Sequence, residues 1–217
     1  MINLRCLKPI YFALLAGIFL TWMGCESSHY TMKDYLQVEK IDIHVHANAN
    51  NSAFVDQAKA DNFKIFTINV DYPDFPPIEV QQNVAISLKK TNPEQIAYSS
   101  TFHMAGWDSA DWQQKTIDHL DSTFSAGAVA VKVWKNIGMD FRDKDSNLVM
   151  LDDPKFDMIF RHLHDKNIPL FSHAGEPKDC WLHYEEMMVN GDKEYFSTHP
   201  QYYMYLHPEM PSYEEQM

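Results

Sequence analysis

The stretch Lys40-Ile41-Asp42-Ile43-His44-Val45-His46 decides how the chain is read. Ile41, Ile43 and Val45 are β-branched and alternate with Asp42, His44 and His46. A period of two is the signature of a strand, and the spacing predicts a buried first strand over residues 40–46. His44 and His46 are two apart, so both side chains leave the same face at the strand's C-terminal end.

Working outward from that strand, four more apolar runs follow, at 63–70, 95–102, 128–134 and 168–173. Longer amphipathic segments lie between them. Residues 52–61 follow Asn51, a residue suited to cap a helix. Residues 77–90 carry Val80, Val84 and Leu88 on one helical face, and residues 108–124 carry Ile117, Leu120 and Phe124. Residues 153–166 open with Asp153-Pro154, a cap followed by proline in the first turn, and run Phe156, Ile159, Phe160 and Leu163 down one side. Strict β-α alternation predicts an α/β fold with parallel strands. An open doubly wound sheet and a (β/α)₈ barrel both satisfy it. Residues 178–217, rich in Tyr, Met, His and Pro, read as a long loop with short helices.

The chain has 217 residues, a formal charge of −12 and a hydrophobic fraction of 45%. That suits one globular domain, and the acidic balance argues against a nucleic-acid partner. The first residues are read as a targeting segment. Arg5 and Lys8 precede an apolar run from Ile10 to Met23, which is short for a membrane span and right for a signal-peptide core. It ends at Gly24-Cys25, which resembles the lipobox of bacterial lipoproteins, although Trp22 stands where that pattern usually has Leu. The resemblance implies cleavage after residue 24, lipidation of Cys25, a linker over 25–38, and anchoring in a bacterial cell envelope. Losing Arg5 and Lys8 takes the net charge to about −14. With Cys6 in the signal and Cys25 lipidated, Cys180 alone remains in the folded domain.

Three signals carry chemistry. The first is His44-x-His46, two imidazoles that can share one divalent metal. The second is Pro169-Leu170-Phe171-Ser172-His173-Ala174-Gly175-Glu176-Pro177, another apolar strand ending in His. Function gathers at the C-terminal ends of parallel strands, so His173 is expected on the same rim as a third ligand. The third is Lys132 inside Val131-Lys132-Val133-Trp134, costly to bury unpaired. Lys132 either snorkels to the rim or faces the site as a candidate catalytic residue. There it would contact an anionic substrate group or, once carbamylated, bridge metals. Glu176 and His103 are candidate substrate-binding residues, because they follow the fifth and third strands.

The remaining candidates read more blandly. His162 and His164 are expected on a solvated helix face. Cys180 and His183, three apart, form a weaker metal pair. Trp134 and Trp181 read as packing near the rim, Asp42 as a hydrogen-bonding support of the first strand, and Asp143 and Asp145 as a charged surface turn.

Together these residues resemble the amidohydrolase superfamily, closest to the branch joining amidohydrolase-related hydrolases to metal-dependent decarboxylases. The resemblance covers roughly residues 39–217. It implies a (β/α)₈ barrel in which His44, His46 and His173 bind a divalent metal, most simply zinc, and Lys132 occupies the strand-four lysine position. It implies a small-molecule substrate attacked by a metal-activated water. The family adds a His after the sixth strand and a proton-shuttling Asp after the eighth, and neither has a counterpart here. The chain is therefore expected to hold about five of eight βα units, to be C-terminally truncated, and to be catalytically incomplete by itself. A decarboxylase on the same scaffold, a non-catalytic exported binding protein, and an open sheet with incidental histidines are the competing readings.

Overall fold

The computed structural model describes residues 29–217. The Ile10–Met23 run, Cys6 and the lipidation candidate Cys25 lie outside the described residues. The chain divides into a unit ending at Val38 and a unit from Glu39 to Met217. In the described part of the first, the backbone N and Oγ1 of Thr31 donate to the Asp34 carboxylate at 2.7 and 2.8 Å and close a turn.

The second unit is α/β. Its five strands are β1 (Lys40–Val45), β2 (Phe63–Ile68), β3 (Ile96–Ser100), β4 (Ala130–Val133) and β5 (Leu170–Ser172). All neighbours pair in parallel, in the order β1-β2-β3-β4-β5. A doubly wound sheet reverses its strand order at a switch point. This one runs in chain order from edge to edge, as a barrel does.

The sheet also curls. Phe66 on β2 and Phe171 on β5 are three strand positions apart, about 14 Å along a flat sheet. Their ring centroids lie 5.7 Å apart. His46, at the end of β1, and Trp134, at the end of β4, are equally separated in strand order, yet their rings lie 6.3 Å apart. Only a sheet bent toward one face brings such pairs together. The result is a curled half-barrel whose inner face carries His44, His46, Phe66, Lys132, Trp134, Phe171 and His173.

The outer face packs against helices α1 (Ser52–Ala60), α2 (Ile78–Thr91), α3 (Trp112–Ser125) and α4 (Asp157–Asp165). Ile65 and Ile96 meet Val55, Ala58 and Leu88. Val131 and Val133 meet Leu120, Phe156, Ile159 and Leu163. Full burial of such a side chain contributes about 1.5–3 kcal/mol, so this layer supplies most of what fixes the strands. Asn51 caps α1 as the sequence suggests, accepting from the backbone N–H of Ala53, and Asp153 caps the 3-10 turn Pro154–Phe156 that leads into α4, accepting from the backbone N–H of Lys155. Three helix-to-strand turns pass through the left-handed region at Asn62, Gly127 and Asn167, residues that tolerate it.

Two expectations are corrected, and one segment not read from the sequence is added. Strand β1 is not buried: Ile41 and Ile43 are 60% and 69% exposed, because β1 is an edge strand and only Val45 reaches the core cluster around Val55 and Ile65. Helix α3 begins at Trp112 rather than at 108, since 108–111 is a turn in which the Ser109 hydroxyl donates to Asp111. The segment after β4, Asn136–Met139, makes a short helical turn broken at Gly138, whose φ is +97°. The region after β5 is loops and short helices, as its composition suggests, including α5 (Asn190–Thr198) and α6 (Tyr213–Gln216). No described helix is long and apolar enough to cross a membrane.

Candidate functional site

The C-terminal strand ends form one rim, and three histidines stand on it. The Asp42 carboxylate accepts from the backbone N–H of His44 at 3.1 Å, the supporting role expected of it. His46 donates from Nδ1 to the carbonyl of Ile68 at 3.1 Å. That bond fixes the tautomer and leaves Nε2 as a free lone pair, the arrangement usual for a metal-ligating imidazole. The His173 backbone N–H donates to Val133 O at 3.0 Å and extends the ladder one residue past β5, which carries its ring onto the same rim.

The ring geometry bears on a metal. Two imidazole nitrogens sharing a tetrahedral zinc ion have ring centroids about 5 Å apart. The His44 and His46 rings are 5.5 Å apart and edge-on, a separation compatible with a shared ion and with ordinary ring packing. His173 is placed differently. Its ring meets Trp134 edge-on at 4.8 Å, and Trp134 in turn contacts His46. Among the described residues no group of three or more His, Cys, Asp or Glu is arranged to hold a metal ion. The structure therefore brings the three histidines to one rim without converging them on one point.

Both inner imidazoles favour the neutral form that binds metals. Burial pushes the pKa of His46 down against the opposing pull of the Ile68 carbonyl, and the neighbouring His44 and Lys132 add to the depression. Burial also lowers His173, helped by the charges of Lys135 and Lys132 and opposed by Glu176.

Lys132 lies one layer below the histidines and is 4% exposed. Its Nζ sits 4.9 Å from the Phe171 ring centroid and 5.8 Å from that of Trp134. No hydrogen bond or ion pair reaches it among the described residues, and burial holds its pKa below the ordinary lysine value. The snorkelling alternative is excluded: the amine stays inside. Two more polar atoms on this face are buried without partners, Ser99 Oγ and Trp134 Nε1.

Glu176 is buried and forms an ion pair with Lys135, so its carboxylate is already engaged. The pair borders a cavity of about 270 Å³ that is also lined by Tyr72, Asn136 and Tyr202. The hydroxyls of Tyr72 and Tyr202 lie 2.9 Å apart across it. His103 lines a cleft of about 600 Å³ beside Asp71 and Phe75. Its Nε2 meets Glu79 at 2.8 Å and its Nδ1 lies 3.5 Å from Asp71. Phe75 links this cleft to the histidine rim, packing on His46 at 4.6 Å. The sequence reading missed Lys135, Tyr72, Phe75 and Tyr202. The first three lie within about five residues after the C-terminal ends of predicted strands, a signal that was there to use; Tyr202 is far along the chain and carried none.

The lesser candidates separate cleanly. His162 is not solvated, because its Nε2 meets Asp121 of α3 at 2.8 Å, whereas the His164 side chain is 87% exposed. Cys180 is fully buried and hydrogen-bonds through Sγ to Tyr202 O, and burial pushes its thiol up to about 12. His183 accepts from the Glu185 backbone, so the Cys180–His183 pair is occupied by structure. Trp181 packs on Tyr213, and Asp143 closes a surface turn by accepting from Asp145 and Asn147.

Comparison of the chain with family models, with curated proteins and with solved structures found no match in any of the three.

Proposed function

We propose that the chain carries the metal-binding portion of an amidohydrolase-type active site, with His44, His46 and His173 as ligands of a divalent metal, most simply zinc. The observation that carries this reading is the His44–His46 pair at metal-sharing separation, with the His46 tautomer locked by Ile68. His173 stands on the same rim, with its ring against Trp134. There His44, His46 and His173 would hold the ion, which would supply Lewis-acid polarisation of a carbonyl and acidification of a water. The chain's own residues do the rest. Trp134 and Phe75 exclude bulk water around His46, Lys132 presents a fixed positive charge, and the cavity beside Lys135 and Glu176 together with the cleft beside His103 receive a small-molecule substrate. Export and lipidation at Cys25 belong to the same proposal and place the site at a bacterial cell envelope.

A catalytic metal keeps an open coordination position, whereas a structural one does not. The test is acetohydroxamate, a small chelating mimic of a hydrated carbonyl. Zinc-loaded protein is expected to bind it, and chelator-treated protein and His44→Ala are not. Zinc uptake with no hydroxamate binding would overturn the reading in favour of a closed site in a non-catalytic exported protein. One observation favours a second reading, a decarboxylase on the same scaffold: the unpaired ammonium of Lys132 can hold a carboxylate. Release of carbon dioxide, rather than an amine or alcohol, would mark it.

A further inference from the structure

We propose that Lys132 anchors the carboxylate of a monoanionic substrate beneath the histidine rim. The inference rests on the proposed site for its location and deepens it by naming the substrate class.

An ammonium removed from water costs several kcal/mol unless something compensates it. Lys132 is 4% exposed, and no carboxylate or carbonyl meets it among the described residues. The nearby cation Lys135 is already neutralised by Glu176. One uncompensated positive charge therefore remains on the inner face, which matches one negative charge on a ligand. Two neutral donors accompany it. Ser99, fully buried, stands beside Ala130 in register, two residues along β4 from Lys132, and its Oγ has no partner. Trp134 Nε1 is likewise unpartnered. The ammonium and the indole N–H can only donate, and the Ser99 hydroxyl is free to donate as well, so an anion would satisfy all three.

The walls choose the anion. Lys132 Nζ lies 4.9 Å from the ring centroid of Phe171 and 5.8 Å from that of Trp134, and Phe66 packs on Phe171. A flat carboxylate presents a thin profile to such rings. A tetrahedral phosphate is thicker and brings up to two charges against one lysine. The same rings supply apolar surface for the body of the acid. Trp134 touches Lys132 on one side and both His46 and His173 on the other, so a carboxylate on Lys132 holds the next few atoms of its molecule near the rim.

Calorimetric titration of the metal-free protein with benzoate, benzamide and inorganic phosphate tests this. Benzoate is expected to bind at least tenfold more tightly than its neutral isostere benzamide or than phosphate, since hydrogen bonds to charged groups exceed neutral ones. Lys132→Met is expected to lose that tenfold preference while keeping its far-ultraviolet circular dichroism. Ser99→Ala is expected to weaken benzoate a few-fold. Equal affinity for benzoate and benzamide would overturn the proposal, as would phosphate binding the tighter, undiminished benzoate binding by Lys132→Met, or a carbamate on Lys132 seen by mass spectrometry. Zinc uptake, measured separately on the same samples, reports on the histidines alone. Benzoate binding without zinc uptake would sink the metal reading and leave this one standing.

Discussion

Replacing Lys132 with Met should make the protein more stable. Methionine is unbranched and similar in length, so it can lie along the path of the lysine stem and reach the same rings. The change removes a buried charge that nothing among the described residues compensates. Replacing buried ion pairs or triads with packed apolar residues gains up to about 1–4 kcal/mol, and a charge without a partner has less Coulombic attraction to lose. The rings of Phe171 and Trp134 return part of the cost as cation–π attraction, about 0.5–2 kcal/mol, so the lower end applies, about 1–2 kcal/mol. For a domain of this size each kcal/mol moves Tm by about 2–4 °C, and the variant should melt about 2–8 °C higher near neutral pH. The pH dependence follows from the sign of the shift. The folded-state pKa of Lys132 lies below its ordinary value of 10.5. Between the two values the unfolded chain binds more protons, so wild-type stability from this group rises with pH. The advantage of Lys132→Met should therefore shrink as pH climbs through the depressed pKa toward 10.5. Urea unfolding of both proteins at neutral and alkaline pH measures this. A variant less stable than wild type, or an advantage that does not change with pH, would refute the claim that the ammonium is desolvated and unpaired.

Glu176→Gln leaves Lys135 buried without its counter-charge and should cost about 3 kcal/mol, read as a lower urea midpoint; Lys135→Met in the same chain should recover much of it. Gly138→Ala forces φ of +97° on a residue with a Cβ and drives that Cβ into the Gln216 side chain, so a loss of at least about 1 kcal/mol in thermal unfolding is expected. Burial depresses the pKa of His119 below 6.5 while its Nε2 donates to Thr101 O. The unfolded chain then takes up the proton first, so stability from this group is lost as pH falls from about 6.5, and His119→Gln should flatten the urea midpoint between pH 7.5 and 5.5.

The parallel strands were legible because their β-branched residues cluster in short runs between amphipathic segments, and strand ends then located His44, His46, Lys132 and His173 on one face. What the sequence could not convey was set by distant partners. Ile41 and Ile43 look like core residues, and only the edge position of β1 exposes them. His162 looks like a surface residue, and only the packing of α4 on α3 brings it to Asp121. The ion pair of Lys135 with Glu176 joins two loops that follow different strands. The ring of Trp134 against His173 is a matter of rotamer, which no periodicity encodes.

The most direct test of the central claim is zinc stoichiometry by calorimetry for the wild-type protein and for His44→Ala, His46→Ala and His173→Ala. The account predicts one zinc ion per wild-type chain and loss of tight binding in each variant. Zinc uptake that survives His173→Ala unchanged, or a wild-type protein that takes up none, would contradict it.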